Sequence, residues 1–189
     1  MDVRGFLEEI DDQFDGPVED GKPHDPRFAM IADEVSGFTS PAELAVLNLA
    51  ARRLPEGEGY LEVGTFKGRS LCGVLVDAPD RHYVAVENFS EFGMHTAQSR
   101  DELERAIGLY GANRPLRVLD GDAFRLLASA ARSFDPIGVY FYDGPHTGLA
   151  HYLALGVAEP LLADEAAVLV DDGSNRRRGP SSTESSTRS

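Results

Sequence analysis

The chain has 189 residues, long enough for one domain with a sizeable core, and 42% of them are apolar, which excludes a disordered composition. Acidic residues number 32 against 18 basic ones, a net charge of −14 that argues against a nucleic-acid-binding face or a surface drawn to anionic lipid. A single cysteine, Cys72, excludes a disulfide framework and a thiolate metal site. No apolar run is long enough for a transmembrane helix, and the acidic start lacks the basic and apolar segments of a secretory signal, so the expectation is a soluble cytoplasmic protein. The Arg- and Ala-rich, Lys-poor composition suggests a bacterial origin.

Residues 2–14 carry Val3, Phe6, Leu7, Ile10 and Phe14 at helical spacing, and Gly16, Pro17, Gly21 and Pro23 end that pattern. A second short helix is expected over 26–35. Ser40-Pro41-Ala42-Glu43 is a helix start: Ser40 can cap, Pro41 fits the first turn and Glu43 can close a capping box, with the helix running to about Leu54. From residue 59 the pattern alternates. Strands are expected over 59–63, 82–87, 116–119, 137–142 and 166–170, and helices over 69–76, 95–110, 123–131 and 149–162. Such alternation implies βαβ units, a parallel sheet and right-handed crossovers: a Rossmann-like α/β fold of about five strands. The organisation expected is an N-terminal helical segment over 1–39, the α/β domain over 40–172, and a polar, disordered tail over 173–189, whose only apolar side chain is Pro180.

The loop Glu62-Val-Gly64-Thr65-Phe66-Lys67-Gly68-Arg69-Ser70 joins the first strand to a helix. Gly64 permits a tight turn and close ligand approach, and Gly68 permits close packing at the helix start. The spacing differs from the dinucleotide G-x-G-x-x-G, which disfavours a pyrophosphate cradle and a nicotinamide-dependent oxidoreductase. Glu87 ends the second strand, where a carboxylate can accept both ribose hydroxyls. Asp122, after the third strand, can meet an adenine amino group or cap the next helix beside the Ala123 N–H. Asp143 follows the fourth strand and Asp171-Asp172 the fifth. Strand ends of a parallel sheet share one crevice, so these three carboxylates converge, and such an oxygen set suits Mg²⁺, which could lower the pKa of a bound hydroxyl. His146 could serve as general base. The plain alternatives are a helix cap for Asp143, a solvated turn for Asp171-Asp172 and a half-exposed helix start for His146. His82, His95 and His151 read as structural, and Cys72 as a small buried residue. Phe89, Phe92 and Met94 could wall the crevice or simply pack in the core. Lys67 and Arg69 could meet a cofactor carboxylate.

Glu62-x-Gly64-x-x-x-Gly68, Glu87, Gly121-Asp122-Ala123 and Asp143-Gly144-Pro145-His146 occur in order on alternating elements. Over residues 40–172 this resembles the class I S-adenosylmethionine-dependent methyltransferases, and more narrowly the bacterial family of macrocin-type sugar O-methyltransferases and cephalosporin-hydroxylase-like proteins. The resemblance implies that Gly64 and its neighbours Glu62, Thr65, Gly68 and Ser70 approach the methionine end of S-adenosylmethionine, that Glu87 holds the ribose, and that Asp122 and Ala123 meet the adenine. It implies a divalent metal on the acids Asp143, Asp171 and Asp172, with Asp143 also near the cofactor, and transfer to a hydroxyl of a small molecule such as a sugar or natural product. The family continues after its fifth strand with a helix and an antiparallel hairpin, whereas this chain leaves the pattern at Gly173. The chain therefore reads as a C-terminally truncated relative. Its fifth strand would offer an open edge, to be covered by a partner such as a second copy, and the alternative function is a non-catalytic remnant or partner-binding module.

Overall fold

The computed structural model describes residues 1–18, 21–90, 96–111, 113–130 and 134–171. The parallel sheet comprises β3 (Gly59–Val63), β4 (Tyr83–Glu87), β5 (Leu116–Asp120), β6 (Ile137–Tyr142) and β7 (Leu162–Val170) in the order β5-β4-β3-β6-β7. Its helices are α4 (Arg69–Leu75), α5 (Thr96–Tyr110), α6 (Ala123–Ala130) and α7 (Gly148–Ala158), preceded by α1 (Val3–Glu9), α2 (Arg27–Glu34) and α3 (Pro41–Arg52). This is the Rossmann-like parallel architecture expected from the alternation of elements. Among the described residues no helix is long and apolar enough to cross a membrane.

Every residue of β3, β4 and β6 is buried, which explains why these strands are apolar apart from Glu62 and Glu87. Alternate side chains still part to opposite faces. Tyr60, Tyr83, Ala85, Val139 and Phe141 pack with Leu47 of α3 and with Leu71 and Val74 of α4. Leu61, Val84, Val86, Tyr140 and Tyr142 pack with Leu127 of α6 and with Ala154 and Ala158 of α7. Each of the enclosed leucines contributes roughly 2 kcal/mol through removal from water. Helix α2 sets Phe28 and Ile31 against Leu44 and Cys72 in a third cluster.

The capping box forms as its residues dictate: Ser40 Oγ accepts the Glu43 N–H at 3.2 Å, and Glu43 accepts the Ser40 N–H at 2.6 Å. Helix α3 also stabilises the end of α4. Asn48, only 4% exposed, donates through Nδ2 to the carbonyls of Gly73, Val74 and Val76 at 3.0, 3.2 and 2.7 Å.

Several boundaries differ from expectation. The first helix stops at Glu9 and passes through a 3₁₀ turn into β1 (Phe14–Asp15), which pairs antiparallel with β2 (Lys22–Pro23). The helix expected over 149–162 ends at Ala158, because Pro160 follows in a 3₁₀ turn. The last strand begins at Leu162, four residues earlier than expected. Its register to β6 shifts: Ile137 pairs with Leu162 but Val139 with Ala167. The expected helix start at His95 and the tail over 173–189 lie outside the described residues.

Candidate functional site

Strand order reverses direction between β3 and β6, because the chain runs from β3 outward to β4 and β5 and then returns to β6. Loops leaving these two strands part to opposite faces and open a crevice at their C-terminal ends. The two loops touch through their backbones. Gly64 has φ +92°, and a Cβ there would overlap the carbonyl oxygen of Asp143. Gly68, at φ +89°, caps α4 in a left-handed conformation, with the Leu103 side chain where a Cβ would lie.

Glu87 stands at the centre of one cavity. Its side chain, 9% exposed, accepts the Phe66 N–H at 2.6 Å and the Phe89 N–H at 2.7 Å, one on each oxygen. Both phenylalanines occupy the left-handed region, at φ +50° and +52°. One carboxylate thus fixes two unfavourable backbone conformations, on the loops after β3 and after β4. Each carboxylate oxygen keeps further acceptor capacity toward the cavity. That cavity, of about 150 Å³, is lined by Gly64, Glu87, Phe89, Asp122, Ala123 and Asp143 among others. Asp122 also accepts the Arg125 N–H at 2.9 Å and so caps α6. Arg100 closes the outside of this wall. Its guanidinium lies 4.3 Å from the Phe89 ring centroid and donates to Asp120 at 2.6 Å.

Glu62, Thr65 and Ser70 form a hydrogen-bonded cluster. Glu62 is 1% exposed and accepts from Thr65 Oγ1 at 2.7 Å, from Ser70 Oγ at 3.4 Å and from the Tyr60 hydroxyl at 2.8 Å. Burial pushes its carboxyl up to about 7, with the nearby Glu87 charge adding to the effect. Thr65 and Ser70 thus hold the shape of the loop through Glu62, and both also line a second cavity beside the first. Lys67 pairs with Glu102 at 3.0 Å, and Arg69 donates to the carbonyls of Val35 and Thr39, so both cations are engaged within the protein.

A second cavity, about 430 Å³, adjoins the first through Gly64, Phe66 and Asp143 and holds the acids. Ligand atoms of Asp143, His146 and Asp171 lie within 4.8 Å of one another. Burial pushes the Asp143 carboxyl up to about 8, and the adjacent Asp171 reinforces the rise. His146 Nε2 is 3.7 Å from Asp143 Oδ1, within ion-pair range but too long for a hydrogen bond. The sequence reading assigned the third ligand to Asp172, which lies outside the described residues. The structure brings His146 into the cluster, and its three-residue spacing from Asp143 was the available signal. His82 pairs with Asp135 at 3.1 Å. His151 packs edge-on against Tyr142, and its Nε2 is buried with no hydrogen-bond partner among the described residues. Cys72 is buried, which pushes its thiol up to about 12 and leaves it inert.

The fold and crevice define a class I methyltransferase architecture. Residues 61–173 match the methyltransferase-domain family, and the chain belongs to that family. No curated protein matches the chain by sequence. Among solved structures it resembles an O-methyltransferase from Bacillus cereus in complex with SAH, at TM-score 0.59 and 20% identity over 78% of this chain and 66% of that one. It also resembles the O-methyltransferase TomG from Streptomyces achromogenes, involved in tomaymycin synthesis and solved with SAM, at TM-score 0.58 and 21% identity over 79% and 66%. A SAM-dependent methyltransferase from Agrobacterium tumefaciens aligns at TM-score 0.54 and 15% identity over 67% of this chain and 42% of that one.

Proposed function

We propose that the protein transfers a methyl group from S-adenosylmethionine to a hydroxyl of a small molecule, assisted by a divalent cation such as Mg²⁺. The observation that carries this reading is the adjacency of two cavities: one ordered by Glu87, the other holding Asp143, His146 and Asp171. The first cavity fits the cofactor's polar groups. Glu87 would accept the ribose hydroxyls on its remaining lone pairs, and Asp122 with the Ala123 N–H would meet the adenine. The second fits a divalent cation such as Mg²⁺ on the carboxylates of Asp143 and Asp171, with the His146 imidazole beside them.

When bound, S-adenosylmethionine supplies a methyl group on a sulfonium, and the cation supplies Lewis acidity. Transfer would join the methyl carbon to the acceptor oxygen and leave the S–C electron pair on sulfur. His146 would take the hydroxyl proton. The remaining residues act by positioning: Gly64 brings the loops after β3 and β6 into contact, and Glu87 fixes both walls of the cofactor cavity.

Two titrations test the reading. S-adenosylhomocysteine should stabilise the protein against heat. Mg²⁺ should raise the melting temperature by about 2–4 °C in the wild type and by less than half that in Asp171→Asn. Equal stabilisation of both by Mg²⁺ would remove the cation from the scheme and leave the cofactor reading intact.

A further inference from the structure

A third cavity, about 530 Å³, lies between helix α3 and the last two strands. Its walls are apolar: Val46 and Leu47 of α3, Phe141 of β6, and Leu169 and Val170 of β7. Leu47 and Phe141 belong to the core on this face of the sheet, and Val46 and Leu169 pack against it, so the walls are set by the fold. The polar lining among the described residues is Ser40, Glu43 and Asp171. Ser40 and Glu43 bond to each other in the capping box.

The three cavities run in series. The cavity ordered by Glu87 meets the acid cavity at Gly64, Phe66 and Asp143, and the acid cavity meets the apolar one at Glu43 and Asp171. Charge is confined to the acid side of that second junction. Lys67 and Arg69 line the acid cavity but not the apolar one, whose charged lining is the two junction residues. Small-molecule sites commonly enclose about 300–1,000 Å³, and water against apolar walls lacks polar partners. Residues 172–189 contain no apolar side chain except Pro180, so they are poorly suited to fill such a space.

Extending the methyl-transfer reading above, on which this rests, we propose that the apolar cavity is an acceptor subsite that takes the hydrocarbon part of an amphipathic hydroxylated molecule. The acceptor lies across Glu43 and Asp171. Its hydroxyl sits among Asp143, His146 and Asp171, and its hydrocarbon part lies between α3 and β7. A bare polyol or unsubstituted sugar leaves the cavity wet and binds weakly.

The test uses the full ¹⁵N-labelled chain saturated with S-adenosylhomocysteine and Mg²⁺, titrated with 1,2-propanediol and 1,2-hexanediol and read by amide chemical shifts. Hexanediol should bind the wild type at least about tenfold more tightly than propanediol, through its added methylenes, and should shift the amides of Val46 and Leu169. Ala42→Phe and Val46→Phe, one turn apart on α3, each place a ring in the cavity. Both should bring the two diols within about twofold of each other while S-adenosylhomocysteine affinity stays within about twofold of wild type. No gain with chain length in the wild type, or the same gain in both variants, overturns the inference and leaves the cofactor reading standing. A wild-type dimer in sedimentation velocity that both variants abolish assigns the cavity to a second copy and overturns it too. Failure of the wild type to bind S-adenosylhomocysteine overturns the methyl-transfer reading and the inference with it.

Discussion

Replacing Glu62 by Gln keeps the shape of the side chain and its capacity to accept from Thr65 and Ser70, while removing a titrating group from a fully buried position. In the folded protein burial raises this carboxyl from 4.5 to about 7. Below both values the folded and unfolded chains are equally protonated and Glu62 contributes no pH dependence. Between them the unfolded chain releases a proton that the folded chain retains, so stability falls as pH rises, and the loss is complete above the folded value. The full span corresponds to about 3 kcal/mol. Burial also raises Asp143, so the wild type has a second source of loss that the variant shares. Urea unfolding followed by far-ultraviolet circular dichroism suits a chain without tryptophan. Between about pH 4.5 and pH 8.5 the wild type should lose about 3 kcal/mol more stability than Glu62→Gln. Identical pH profiles would refute the reasoning, because they would mean that Glu62 carries its charge in the folded state at no cost.

Two further substitutions test the scaffold. Gly64→Ala should destabilise by about 3 kcal/mol or more, since the new Cβ meets the Asp143 carbonyl at a positive φ, and the loss should appear in the urea midpoint. Asn48→Ala should cost about 2 kcal/mol, because it strips the buried carbonyls at the end of α4 of their donor, and amide exchange should accelerate in α4 before the sheet.

Much of the sheet was legible because its central strands are short apolar runs bounded by glycine, proline and acids. Strand β6 falls on the expected residues 137–142, and β3 on 59–63. The start of β7 was not legible: Leu162-Ala-Asp-Glu-Ala shows no strand period, and after Leu162 pairs with Ile137 the register to β6 shifts and resumes only at Ala167. The β1–β2 pairing escaped notice because two-residue strands leave no period to read. In the crevice the acids at strand ends were visible, since topology alone brings Glu87, Asp122, Asp143 and Asp171 to one end of the sheet. Glu62 shows the limit of that reasoning: its place near the end of β3 is readable, but its burial against Tyr60, Thr65 and Ser70 depends on the sheet's pleat. The Arg69 bonds to the Val35 and Thr39 carbonyls and the Phe38–Phe66 stack join residues about 30 apart, which no local pattern reports.

The central claim is that Glu87 and the cavity it orders hold the cofactor. Calorimetric titration of S-adenosylhomocysteine into the wild type and into Glu87→Ala tests it most directly. The account predicts saturable one-site binding by the wild type and a loss of about a hundredfold in affinity in the variant, the equivalent of two hydrogen bonds to a charged carboxylate. Equal affinity in the two proteins, or no binding by the wild type, would contradict it.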